Sequence, residues 1–159
     1  MLFSGYGTSS QLEEETIRSS PYELPGIGTI RFTDGEYEGQ AGDAPGASSL
    51  HIGQVDLFIY GDLDGDGAED ALTFLSSSAG GPEIVVSLEA FLNKNGRPAH
   101  AASYRIGDRV AIDSVTVDRE VVHLYIITQG PDDVACCPTL HVLRKVRLQN
   151  RTFVEIGGL

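Results

Sequence analysis

The chain reads as a mostly β protein, an antiparallel sheet or sandwich built of hairpins with one short N-terminal helix. Three observations carry that reading. From Ile27 onward, apolar and β-branched stretches of strand length recur without helical spacers between them. The links between them are short and carry turn residues, as at Asp34-Gly35 and Asn95-Gly96. The chain has 159 residues, which suits a single domain, and one of this size buries roughly 68–70% of its unfolded surface.

The first twenty residues differ from the rest. Ser10-Gln11-Leu12-Glu13 has the spacing of a capping box, and Glu13, Glu14 and Glu15 favour a helix N-terminus. A helix is predicted near 11–19, stopped by Ser20-Pro21. Residues 1–20 are therefore expected to form an arm outside the core, and residues 21–159 a single β-rich domain.

Ile27 to Phe32 alternate, and Asp34-Gly35 turns the chain into Glu36-Tyr37-Glu38. Residues 39–49, rich in Gly, Ala, Ser and Pro, read as a surface loop. Val55–Tyr60 forms a strand entering an acidic loop, and Ala71–Leu75 a strand leaving it. Glu83–Leu92 is a strand closed by Asn95-Gly96, although Leu88, Phe91 and Leu92 also fit a helical stripe over 87–93. Further strands are predicted at 101–106, 110–117, 121–128, 139–148 and 152–156. The acidic motif occurs once and there is no internal repeat, which excludes a propeller formed by this chain alone.

Net charge is −12, from 23 acidic and 11 basic residues. That balance argues against nucleic acid, whose phosphates require clustered Lys and Arg. Arg144, Lys145, Arg147 and Arg151 do fall together; they read as a solvated strand face or as a docking patch for an acidic partner. The stretch Val121–Ile127 is too short to span a bilayer. Met1-Leu2-Phe3 leads into Ser, Gly, Tyr and Thr without a basic n-region, as in a trimmed or a cytoplasmic chain alike.

The most informative stretch is Asp62-Leu63-Asp64-Gly65-Asp66-Gly67-Ala68-Glu69-Asp70. Calcium takes six to eight oxygens, and this spacing delivers them from one tight loop. Asp62, Asp64 and Asp66 alternate so that their carboxylates converge, and Gly67 permits a sharp turn. The Ala68 carbonyl would supply the seventh-position ligand and Asp70 the ninth, directly or through water. Without a cation these carboxylates repel one another. The twelfth position is Thr73 rather than a bidentate Glu, so affinity is expected in the weak range of about 10⁻⁴–10⁻³ M. A metal-free Asp/Gly turn is the plainer alternative.

Cys136-Cys137-Pro138 contains the only two cysteines. Their adjacency leaves a vicinal disulfide, two free thiols or bridges to other chains; in an oxidising compartment the vicinal ring is expected. Zinc binding is disfavoured, since a second cysteine pair is missing. His51, His100, His123 and His141 stand isolated in sequence, and no nucleophile elbow, zinc-protease helix, phosphate loop or dinucleotide fingerprint occurs. The sequence therefore carries no catalytic motif, and a non-enzyme is expected.

Asp-x-Asp-x-Asp-Gly-x-x-Asp between two strands resembles the calcium hairpins of integrin-type FG-GAP and VCBS repeats. The order of Gly61–Ala71, Leu92–Pro98, Gly107–Val110 and Gln129–Asp133 leading to Cys136-Cys137-Pro138 resembles small bacterial secreted or lipid-anchored proteins. Tyr22–Pro25 and Phe32–Glu38 fit the same pattern, so the resemblance covers roughly residues 17–156. It implies an extracytoplasmic, oxidising location in the periplasm or at the cell surface, and no established activity. The leading expectation is a calcium-stabilised, non-catalytic module with a binding or structural role. The alternatives are an accessory subunit of a larger membrane-associated assembly, touching its partner through residues 1–20 or Arg144–Arg151, and an enzyme of unrecognised type.

Overall fold

The structure, a computed structural model, describes residues 11–40 and 45–157. The mostly β expectation holds: the described residues form antiparallel sheets and one short helix. The helix α1 spans Glu14–Ser19. The strands are β1 (Tyr22–Leu24), β2 (Gly28–Ile30), β3 (Glu36–Gln40), β4 (Ser49–Gly61), β5 (Asp70–Ser78) and β6 (Val85–Lys94). They continue with β7 (Arg97–Asp108), β8 (Ala111–Asp118), β9 (Val121–Thr128), β10 (Leu140–Gln149) and β11 (Thr152–Glu155).

Among the described residues three sheets result: β1-β2, a five-stranded sheet β3-β4-β5-β6-β7, and a four-stranded sheet β11-β10-β9-β8. Each larger sheet grows mostly by consecutive antiparallel hairpins, as the short links dictate. The two larger sheets share one core, in which Leu72, Phe74, Leu88 and Ala90 meet Val122, Leu124, Ile126 and Val146. The opposite face of the five-stranded sheet packs a second core with α1 and the β1-β2 hairpin, through Leu12, Ile17, Tyr22 and Leu24. Residues 70–75 at the start of β5 are accordingly buried on both faces. This is why its sequence reads as a continuous apolar run instead of an alternation.

Several expectations change. Leu12 is 1% exposed and Ile17 0%, so residues 11–20 belong to a core layer and not to an arm outside it. The acidic residues misled the reading: one turn of helix suffices to turn Ile17 inward while Glu13, Glu14 and Glu15 stay exposed. Residues 1–10, the rest of the expected arm, lie outside the described residues. The N-cap is Glu13, without a side-chain cap bond, and not Ser10.

The stretch 27–33 is also divided. Gly28–Ile30 pairs back on Tyr22–Leu24, while β3 pairs with β4. Positive φ at Gly26 (76°) and Gly28 (105°) lets the chain reverse just after Pro25. Asp34-Gly35 does turn, but it closes only the isolated bridge Thr33–Glu36. Residues 87–93 are strand, not helix.

Candidate metal centre

The acidic loop joins β4 to β5, two strands paired through Gly61↔Asp70 at its mouth. Leu63, its second residue, is 1% exposed and inserts into the core between the larger sheets. The loop is thereby pinned at its start by apolar burial. At its end Asp70 is fully buried. Asp70 Oδ2 accepts the Leu63 N–H at 2.8 Å, and Oδ1 accepts the Asn93 N–H at 2.8 Å. One carboxylate thus fastens both the loop and β6. The Asn93 side chain adds a bond to the Glu69 carbonyl at 3.0 Å.

Within the loop the carboxylates are held by backbone N–H groups. Asp62 Oδ1 accepts from Gly65 at 2.8 Å, and Oδ2 from Gly67 at 2.9 Å. Asp66 Oδ1 accepts from Ala68 at 2.8 Å, and Asp64 Oδ1 more loosely from Asp66 at 3.4 Å. Gly65 and Gly67 adopt φ of 79° and 86°, a region glycine enters without steric cost. The result is convergence: Asp62, Asp64, Asp66 and Asp70 each bring one oxygen into a group whose members all lie within 4.8 Å of one another. Such a set of hard oxygens can hold a metal ion.

The electrostatics show the cost of assembling these groups. Partial burial raises the Asp64 pKa from 3.8 to about 6, with further contributions from the Asp70 and Asp66 charges. Burial likewise raises Asp70, against the lowering effect of the Leu63 and Asn93 N–H groups, and the Asp66 and Asp62 charges raise it further. Asp62 is different: burial acts to raise it, but the bonds from Gly67, Gly65 and Asp64 prevail and hold it below 3.8.

The structure therefore brings together the four aspartates that the sequence singled out. Ala68, expected to offer its carbonyl, lies in the same loop and is oriented by its N–H bond to Asp66. Thr73, at the twelfth position, is buried, and its hydroxyl donates to the Leu57 carbonyl at 2.9 Å beside a β-bulge in β4. Three participants escaped the sequence reading: Leu63, Asn93 and Glu120. Glu120, in the β8–β9 turn, packs so closely that a Cβ at Gly65 would lie 2.7 Å from its Oε2. A side chain at residue 65 would displace that carboxylate, while the φ of 79° is what favours glycine. Nothing in linear sequence marks residue 120 as a neighbour of residue 65.

The other expected residues lie elsewhere. Cys136 and Cys137 form a vicinal disulfide in an exposed loop. That loop is cross-braced by Asp133, which accepts from the Gly130 and Thr139 N–H groups at 2.7 Å each and from the Thr139 hydroxyl at 2.6 Å. Arg144, Arg147 and Arg151 bond within the chain, to the Ile106 carbonyl, Glu120 and the His100 carbonyl. Lys145 is exposed. His51 pairs with Glu36 at the surface, at 3.1 Å. His100 is buried: Nδ1 accepts the Glu23 N–H at 3.1 Å, and Nε2 meets Glu89 at 2.7 Å. Among the described residues no helix is long and apolar enough to cross a membrane. Compared with protein-family models, with curated proteins and with solved structures, the chain matches none.

Proposed function

We propose that the Asp62–Asp70 loop binds one calcium ion, and that the protein is a calcium-stabilised, non-catalytic extracytoplasmic module with a binding or structural role. The carrying observation is the convergence of four carboxylates within 4.8 Å on a loop fixed at both ends by Leu63 and Asp70. Bound calcium supplies positive charge that offsets their mutual repulsion. Asp62, Asp64, Asp66 and Asp70 would hold it, with the Ala68 carbonyl. The resemblance to FG-GAP and VCBS calcium hairpins, and to secreted bacterial proteins with the same Cys-Cys-Pro segment, supports the location and the choice of ion.

A non-catalytic role is supported by His100. It is the one histidine buried against a carboxylate, and both its ring nitrogens are already engaged. The test is a melting curve in millimolar calcium against one in chelator. At the expected dissociation constant of about 10⁻⁴–10⁻³ M, 1 mM calcium adds about 0.4–1.4 kcal/mol to the folded state. Asp64→Ala should abolish the difference, and identical curves for the parent would end the proposal.

The accessory-subunit reading has its own support. On the outer face of the four-stranded sheet, Tyr125 and Leu143 are cross-strand partners, 39% and 44% exposed, with Lys145 next along β10. An apolar pair beside an exposed cation suits a protein contact better than bare solvent. Co-purification of a partner that is lost with Leu143→Asp would favour this second reading.

A further inference from the structure

A second site lies on the opposite side of the five-stranded sheet from the shared core, under the β1-β2 hairpin, and it does not depend on the metal reading. There a cavity of about 250 Å³ opens between the hairpin and the strands β4 to β7. This lies just below the roughly 300–1,000 Å³ range of small-molecule clefts, so the ligand it suits is small. Its walls are mostly apolar, with Leu24 and Ile27 from the hairpin facing Leu75 and Val85 from the sheet. Its polar side is built around Glu89, a carboxylate with no solvent exposure.

The hydrogen bonds around Glu89 determine what the cavity can offer. Ser87 Oγ donates to Glu89 Oε2 at 2.7 Å, and Ser103 Oγ donates to Oε1 at 2.5 Å. His100 accepts the Glu23 N–H on Nδ1, which places its ring proton on Nε2, directed at Oε1. A ring so arranged carries no charge, so among the described residues the carboxylate has three hydrogen-bond donors and no cation. Arg105, at the rim, is paired with Glu83 at 2.9 Å.

Of the three half-buried serines that line the cavity, Ser77, Ser87 and Ser103, the last two have given their protons to the carboxylate beneath. They present only lone pairs to whatever enters. A ligand seated on this pair must therefore bring donors, and a positive charge is favoured above a buried negative one that lacks a counter-ion among the described residues. We infer that this cavity binds a small ligand with an apolar body and a protonated amino group, its ammonium seated on Ser87 and Ser103 over Glu89. The hairpin is tied to the same network through the Glu23 N–H, so occupancy should be felt at Leu24–Gly28.

The test uses ¹⁵N-labelled full chain and benzylammonium chloride as the probe, with benzyl alcohol and sodium benzoate as comparators. Benzylammonium should produce saturable amide shifts at residues 24–28, 87 and 103. Benzyl alcohol should bind at least about tenfold more weakly, the usual worth of a charge-assisted bond, and benzoate not at all. Absence of saturable shifts with benzylammonium, or equal binding of the three probes, overturns the inference. Glu89→Gln should weaken benzylammonium at least about tenfold while leaving distant amide shifts in place. If that variant does not fold, the double variant Ser87→Ala, Ser103→Ala removes the acceptors at half-exposed positions and should weaken it likewise; undiminished binding in a folded variant overturns the inference.

Discussion

Asp70 receives the backbone N–H of Asn93 at 2.8 Å, so the last acidic residue of the loop is also a tie between β5 and β6. The same carboxylate takes the Leu63 N–H. Asp70 therefore has a structural duty that Asp62, Asp64 and Asp66 do not share, because their partners lie inside the loop.

The first prediction separates those duties. Asp70→Ala strands two buried N–H donors, at about 1–3 kcal/mol each, so it should cost about 2–6 kcal/mol even in chelator. Asp66→Ala removes an exposed carboxylate and should leave the chelated protein almost unchanged while reducing its response to calcium. Chemical denaturation of both variants in chelator decides. Equal losses would show that the four aspartates form one undivided unit.

The second prediction concerns pH. Asp64 titrates at about 6 in the folded chain against 3.8 as a free carboxylate, chiefly through burial and then the Asp70 and Asp66 charges. A raised carboxylate pKa means the folded state holds its proton more tightly than the unfolded one. Metal-free stability contributed by this group is thus highest below 3.8 and declines as pH rises through about 6. Calcium competes with that proton, so the gap between calcium and chelator melting curves should widen from pH 5 to pH 7. A gap that does not change across that range would contradict the assignment of Asp64 as a ligand.

Much of this was legible in the sequence. Strand positions from β4 to β11 could be read because each segment is long enough to show apolar runs bounded by turn residues. The aspartate cluster was legible because its ligands lie within nine consecutive residues. What escaped was of two kinds. β1 and β2 are three residues each, too short to display a period. Glu89, Asn93 and Glu120 owe their roles to neighbours 11 to 55 positions away, at His100, Asp70 and Gly65, and no local pattern reports such pairs. Glu89 sits in an apolar run where one acid reads as a solvent-facing strand position.

The third prediction tests the N-terminal layer. Ile17 is fully buried in the second core, beneath α1. Ile17→Ala should cost about 2–5 kcal/mol, the range for truncating a buried isoleucine. At roughly 2–4 °C per kcal/mol for a domain of this size, the melting temperature should fall measurably. A shift within that of exposed substitutions would restore the arm reading for residues 11–20.

The fourth prediction concerns the cysteine loop. Cys136 and Cys137 are adjacent and exposed, so their bond closes a very short ring. Little chain entropy is removed by such a ring, and reduction should leave global stability nearly unchanged. Local order should depend on Asp133 instead, whose pKa is lowered by the Thr139 hydroxyl and by the Gly130 and Thr139 N–H groups. Its contribution is present above the ordinary carboxylate pKa and is lost as pH falls through the lowered folded value. Asp133→Ala should speed amide exchange at Gly130 and Thr139 with the disulfide intact. Unchanged exchange in that variant would transfer the ordering role to the disulfide.

The fifth prediction addresses backbone strain in the β8–β9 turn. Arg119 and Glu120 adopt φ of 52° and 69°, between the paired ends Asp118 and Val121. Two successive positive φ values give the turn the twist a two-residue hairpin requires, but side chains other than Asn, Asp or Gly pay for it. Arg119 is exposed, so replacing it removes little packing. Arg119→Asn should therefore stabilise the fold by up to about 1 kcal/mol, since asparagine tolerates the left-handed region better than arginine. Glu120→Gly relieves the same kind of strain but loses the Arg147 contact at 3.4 Å and the packing over Gly65. A half-exposed ion pair contributes only about 0–1 kcal/mol, so that variant should lie close to the parent. Denaturant midpoints at constant m-value measure both. If Arg119→Asn is no more stable than the parent, the turn is held by something other than its own residues, and the Glu120 contact with the acidic loop becomes the first place to look.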